Sequence, residues 1–197
     1  MNTTIAQSLK ASENLLFKGV WTGFMLNKDI EADDPVVQKL RDIARGKMKP
    51  EQKQKIIRDL KNKKVIKKIV EHTNLIPIVG RNVFARLLTG DGTYTGEINY
   101  LAFGDGDTAF TTASTILNNE LYRKLVSDAA FDDNIAYIDV FIPSGDVADQ
   151  TFKEAAAFID ATASADSGQA FSLVVQDFVK SGSMFVSLRI TLSQAGE

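Results

Sequence analysis

The last strand-like stretch constrains the fold most. Met184, Val186, Leu188, Ile190 and Leu192 alternate with Phe185, Ser187, Arg189, Thr191 and Ser193. A strict period of two puts one set on each face of a β-strand. Upstream, Ile135, Tyr137, Asp139 and Phe141 alternate with Ala136, Ile138, Val140 and Ile142. Both of those sets are largely apolar, the mark of an inner strand covered on two sides. Ile98 to Phe103 and Phe171 to Phe178 read as further strands, and Leu121 to Val126 as another apolar segment. Phe152 to Asp160 reads equally as a helix, by its alanines, or as a strand. Turn signals at Thr89-Gly90-Asp91-Gly92, Asp105-Gly106 and Pro143-Ser144-Gly145 separate these runs. Five or six strands with no βαβ rhythm predict an antiparallel β-sandwich, jelly-roll-like, over residues 77–197.

Residues 1–76 have a different texture and predict a basic, mostly helical N-terminal arm, so the class expected for the whole chain is α+β. Asp33-Asp34-Pro35 opens the clearest helix: an Asp side chain can accept free amide hydrogens, and Pro loses nothing at the first helical position. Val36, Val37, Leu40, Ile43 and Ala44 continue it, and Gly46 stops it. A second helix starts at Pro50-Glu51. Its apolar stripe fails at Lys63 and Lys64 and resumes on a shifted face at Val65, Ile66, Ile69 and Val70, which predicts two short helices or one broken near Asn62. Ile5, Leu9, Leu15, Leu16 and Phe17 give a weaker helical pattern. Beyond it Gly19 and Gly23 flank the only tryptophan and argue against a regular helix. Trp21, Phe24 and Met25 form an apolar patch that needs cover, either as a buried anchor or against a neighbouring molecule.

The net charge of −2 conceals a division along the chain: residues 1–89 carry +9 and residues 90–197 carry −11. The cationic excess is concentrated between Lys39 and His72, and Lys61, Lys63, Lys64, Lys67 and Lys68 are its densest part. Such an asymmetry points to a charged protein partner or nucleic acid. Few aromatics are interleaved for base stacking, and Lys outnumbers Arg, so protein contact ranks first, a solvated face second and nucleic acid third. With no cysteine, disulfide and thiolate chemistry are excluded. No run approaches the roughly 20 apolar residues of a spanning helix, and no membrane contact is expected. The Asn2-Thr3-Thr4 sequon reads as chance.

Nothing in the residues asks for a cofactor, a metal or a catalytic role. His72 is the only histidine and has no cysteine to share a zinc ion with. The glycines at 90, 92, 96, 104 and 106 make neither a dinucleotide fingerprint nor a P-loop. Asp91, Asp105 and Asp107 lack Ca²⁺-loop spacing and read as turn formers.

One ordered set of motifs goes further. Ala102-Phe103-Gly104-Asp105-Gly106-Asp107-Thr108 is followed by a Ser/Thr-rich loop over residues 111–115 and then by Leu117-Asn118-Asn119-Glu120-Leu121-Tyr122-Arg123. The strand at Asn134 to Ile142, the segment Glu154-Ala155-Ala156-Ala157-Phe158 and the closing strand complete the order. Over residues 78–193 this plan resembles a domain of tailed-bacteriophage virion proteins, particularly tail-fibre and baseplate-attachment components. The resemblance implies a non-enzymatic structural protein, assembled in the host cytoplasm into a virion, in contact with other virion proteins and with copies of itself. The alternative is a head or neck protein that touches nucleic acid through the basic arm. In the motif, Gly104 and Gly106 read as structural, and Glu120 and Arg123, three apart, as a pair on a helical turn that holds the loop after Gly106. The interface candidates are Trp21, Phe24 and Met25 with the five lysines.

Overall fold

The computed structural model describes residues 15–27 and 30–194. Among the described residues, nine strands form two antiparallel sheets. The first is five-stranded, in the order β2 (Ile66–Thr73), β1 (Leu15–Leu26), β9 (Met184–Gln194), β6 (Ile135–Ile142), β5 (Asp128–Asp132). The second is four-stranded, in the order β4 (Glu120–Leu125), β3 (Ile98–Gly104), β7 (Gln150–Ile159), β8 (Gln169–Lys180). Three helices accompany them among the described residues: α1 (Pro35–Ala44), α2 (Pro50–Asn62) and α3 (Ile78–Leu88). The architecture is an antiparallel, sandwich-like β-fold with three short helices.

Three apolar layers hold it together. Between the sheets, Trp21, Met25, Val140, Val186 and Leu188 of the first sheet meet Leu101, Phe103, Phe152, Val174 and Phe178 of the second. On the outer face of the first sheet, Phe24, Phe141 and Phe185 are covered by Val37, Leu40 and Ile43 of α1 and by Leu60 of α2. On the outer face of the second, Ala102, Ala156, Phe158 and Leu173 lie beneath Leu117. The first sheet is thus buried on both faces over its central strands, which is why β1 and β6 carry apolar residues in both registers and β9 adds Phe185 on its outer face.

The helix at α1 sits where its sequence signals place it: the Asp34 carboxylate accepts the Val36 amide at 2.7 Å, Pro35 opens the first turn, and Gly46 adopts φ +70° just beyond the end. The rest of the arm differs from the helical expectation. Leu15–Leu26 is a twelve-residue strand paired with β9 from Leu15↔Gln194 to Met25↔Met184, and with β2 on its other side. After α2 ends at Asn62 the chain reverses through Lys64, at φ +54°, and enters strand β2 in place of a second helix. A register shift opposite Met25 and Leu26 puts Ile66 and Ile69 on the outer face under the helices and Val70 on the inner face toward the second sheet. The helical turn expected at Glu120–Arg123 is strand as well, and Phe152–Asp160 resolves as strand β7. Ile5, Leu9 and the 2–4 sequon lie outside the described residues.

The boundary at 76/77 therefore does not separate two cores. β1 is a central strand of a sheet whose other members include β9 and β6, and its Trp21 and Met25 belong to the same inter-sheet layer as Phe103 and Phe178. A structural reason for one glycine follows. A Cβ on Gly23 would meet the Phe178 ring at 2.9 Å and Val70 at 3.0 Å. Gly23→Ala is expected to lower stability by about 1–3 kcal/mol through overpacking. Phe178→Leu in the same chain is expected to return part of that loss, read as coupling in urea-denaturation midpoints.

Candidate functional site

The aromatic patch does not form a surface. Trp21, Phe24 and Met25 are fully buried, Trp21 and Met25 between the sheets and Phe24 under α1. The Trp21 indole Nε1 donates to Ser172 Oγ at 2.9 Å, and Asn74 Nδ2 donates to the same oxygen at 2.5 Å, so the one polar atom of this side chain is satisfied inside the core. Of its two readings the buried anchor holds. As interface candidates these three residues are corrected: a two-sided sheet leaves them no exposed face.

The five lysines behave differently. Lys61 and Lys63 end α2, Lys64 makes the reversal, and Lys67 and Lys68 open β2; all five are exposed. The turn brings them to one corner of the molecule, and β2 is an edge strand of its sheet. Among the described residues only Lys67 has a side-chain partner, Ser181 Oγ at 3.0 Å. Cations at a helix C-terminus are favoured by the helix dipole, and lysines on an edge strand discourage indiscriminate strand addition. The corner is at once a guarded edge and a concentrated positive surface. His72 lies on the same strand, exposed, its Nδ1 bonded to the Thr73 carbonyl at 2.6 Å; it is a strand residue, not the end of a helix.

The motif residues are architectural, with their tasks redistributed. Glu154, fully buried on β7, accepts hydrogen bonds from the Asn119 amide at 2.8 Å, the Asn118 amide at 3.1 Å and Asn118 Nδ2 at 2.8 Å. This carboxylate, and not Glu120, holds the loop after Gly106. It also explains the glycines: a Cβ on Gly104 would meet the Asn119 carbonyl and Glu154 Oε1, and one on Gly106 would meet Asn118 and Glu154 Oε1. Glu120 and Arg123 do pair, but on strand β4, through Nε–Oε1 at 2.5 Å and Nη2–Oε2 at 2.7 Å. Their side chains are 3% and 5% exposed. Arg123 Nη1 donates to the Thr162 carbonyl and to Ser167 Oγ, both at 2.8 Å, and the Asp166 amide donates to Glu120 Oε2 at 3.1 Å. The pair thereby pins the loop between β7 and β8. The guanidinium also lies over the Phe158 ring, 5.1 Å from its centroid.

One charged cluster was missed from the sequence. Glu71, Thr22, Ser187, Asp139 and Asp128 stand in one register row across all five strands of the first sheet. Over the row's acidic end, α1 lowers Arg45, whose Nη2 reaches Asp128 at 2.5 Å and Asp139 at 2.7 Å, and Arg41, whose Nε reaches Asp139 at 3.2 Å. Asp139 is fully buried, and burial holds its carboxyl above the usual carboxylate range against the opposing pull of Ser187, Arg45 and Arg41. The signal was a lone Asp in the apolar run Ile135–Ile142, which demands a buried cationic partner, and arginines four apart beside the apolar face of α1. Part of the opposition between a basic N-terminal half and an acidic C-terminal half is thus met within the chain.

Among the described residues no group of three or more His, Asp or Glu is placed to hold a metal ion. Asp105 accepts from Asn119 Nδ2 at 2.6 Å, Asp107 lies 3.5 Å from Lys153 Nζ, and Asp91 binds Thr93 and Arg86, the work of turn residues. Also among the described residues, no helix is long and apolar enough to cross a membrane. No family model, curated protein or solved structure is significantly similar to this chain. Its function is read from its own geometry and motifs.

Proposed function

We propose that the chain is a non-enzymatic structural component of a tailed-phage virion, of the tail, baseplate or fibre-attachment kind, and that it assembles with copies of itself and with other virion proteins. The jelly-roll-like form of the sandwich belongs to this reading. The motif order over residues 78–193 supports it, since Glu154 and the Glu120–Arg123 pair brace loops and Gly104 and Gly106 leave room for the first of these braces. The observation that carries it is the lysine corner: Lys61, Lys63, Lys64, Lys67 and Lys68 gathered on an edge strand and exposed. Such a surface attracts an acidic neighbour and fixes register more than it adds affinity. Peptides of this chain are expected at stoichiometric levels in purified virions of its source phage, and Lys63→Glu/Lys64→Glu is expected to reduce incorporation at least tenfold with the fold intact by circular dichroism. Absence of the chain from purified particles overturns the reading.

The same corner favours one alternative, a head or neck protein that contacts nucleic acid. Five lysines at phosphate contacts would make duplex DNA affinity fall steeply between about 50 and 200 mM salt. The virion reading by protein contact expects a flat anisotropy titration at 50 mM salt; steep binding lost in Lys63→Glu/Lys64→Glu would select the alternative.

A further inference from the structure

A small polar pocket of about 120 Å³ lies on the outer face of the first sheet, beneath the link between α1 and α2. Arg189 of β9, Lys53 of α2, Thr22 of β1 and Glu71 of β2 line it, and Gly46 stands at its roof in the link. We propose that this pocket binds free inorganic phosphate as hydrogen phosphate, held by Arg189, Lys53 and the Thr22 hydroxyl and selected by Glu71.

Convergence carries the first part of the argument. Arg189, Lys53 and Glu71 come from three separate elements, and among the described residues none of them forms a salt bridge. Arg41, Arg45 and Arg123 all do, so a cation without a carboxylate is not the habit of this fold. Arg189 and Lys53 are half-buried, and cations partly withdrawn from water favour an anion beside them. Geometry carries the second part. Glu71 stands directly opposite Thr22, whereas Arg189 stands opposite Val20, two residues along β1. β1 therefore separates the carboxylate from the guanidinium, and the pocket has a cationic side and an acceptor side. A Cβ on Gly46 would approach Arg189 Nη1 only to 4.0 Å, so the guanidinium reaches beneath the link without being blocked by it.

Chemistry carries the third. Two cations and a hydroxyl suit a compact oxyanion: the planar fork of an arginine engages two oxygens, and a lysine supplies a point charge to another. The carboxylate then chooses among oxyanions. Near a pH of about 8, hydrogen phosphate keeps one P–OH that can donate to Glu71, while sulfate and the dianion of a phosphate monoester have no proton to give. A site that accepts a hydrogen bond from its ligand rejects the analogue that cannot supply one. Size agrees, since the pocket is well below the roughly 300 Å³ at which sites for larger organic ligands begin.

The test is an NMR titration of the full chain in Tris chloride at about pH 8, following the Thr22 and Gly46 amides, with sodium phosphate, sodium sulfate and methyl phosphate as probes. Phosphate is expected to bind about tenfold more tightly than either analogue. Arg189→Met and Lys53→Met are each expected to weaken phosphate about tenfold; Lys53 lies on a helix surface, so its variant tests the site even if Arg189→Met unfolds. Glu71→Gln presents an amide donor and is expected to bring sulfate to within about twofold of phosphate. Lys63→Glu/Lys64→Glu is expected to leave phosphate affinity within about twofold, which separates this pocket from the lysine corner. Absent amide shifts with phosphate overturn the proposal. Equal binding of phosphate and sulfate by the unaltered chain also overturns it, as an adventitious ion only, and so does a corner variant that loses as much affinity as Lys53→Met. The readout uses the isolated chain, so it stands or falls apart from the virion role.

Discussion

A chain beginning at residue 77 is expected to remain unfolded, while one beginning at Leu15 is expected to keep a single cooperative urea transition. Removing residues 1–76 takes away β1 and β2, and with β1 the pairing partner of β9 along the whole length of that strand. It also removes Trp21, Phe24, Met25, Leu26, Val37, Leu40 and Ile43, each no more than 2% exposed. At about 1.5–3 kcal/mol for each large apolar side chain buried, the loss is comparable to the entire stability of an ordinary domain, about 5–15 kcal/mol. What remains would expose Phe141 and Phe185 where α1 covered them, leave Asp139 without its arginines and open a bare edge on β9. The measurement is amide-proton dispersion together with the urea transition of the 77–197 fragment. A dispersed spectrum and a cooperative transition would show that residues 77–197 hold a core of their own and that the division at 76/77 is real.

The arm differs in texture from its sheet partners for a physical reason. Local periodicity reports a strand only when one face is wet, and Val20–Leu26 is covered by α1 and α2 on one side and by the second sheet on the other, so its apolar run shows no alternation. Its glycines read as breaks when they are clearances, Gly23 for the Phe178 ring and Gly19 for the Asn74 side chain. The partner that makes it a strand, β9, lies at the other end of the chain, and no local pattern announces so distant a pairing. β9 and β6 were readable because their alternation or flanking turns are local, as was α1, whose Asp34-Pro35 start is written in adjacent residues.

The same contrast runs through the candidate site. The lysines were found because charge is visible residue by residue; their convergence on one corner depends on the reversal at Lys64. Gly104 and Gly106 were recognisable as a constrained turn, whereas the carboxylate that constrains it, Glu154, comes from a strand some fifty residues later. The charge division along the chain suggested a meeting between molecules. Some of it occurs inside one molecule instead, where Arg41 and Arg45 reach Asp128 and Asp139.

The Glu120–Arg123 pair carries the second large expected effect, because two readings of it differ by several-fold in energy. A solvated pair is worth at most about 1 kcal/mol and fades with salt. Here the side chains are 3% and 5% exposed, the contact is bidentate, and Arg123 also holds Thr162 and Ser167. Removing one partner leaves the other charge buried without compensation, so Arg123→Ala is expected to cost about 3–5 kcal/mol, and Glu120→Ala a similar amount. Replacing both, as Glu120→Leu with Arg123→Met, is expected to cost far less than the sum, since two apolar groups against Tyr100 and Phe158 leave no orphaned charge. A double-mutant cycle in urea checks this, repeated at 1 M NaCl, where the coupling of a buried pair is expected to persist. Single-variant losses below about 1 kcal/mol that vanish in salt would return the pair to the surface. They would also remove the brace that this structure assigns to the loop between β7 and β8.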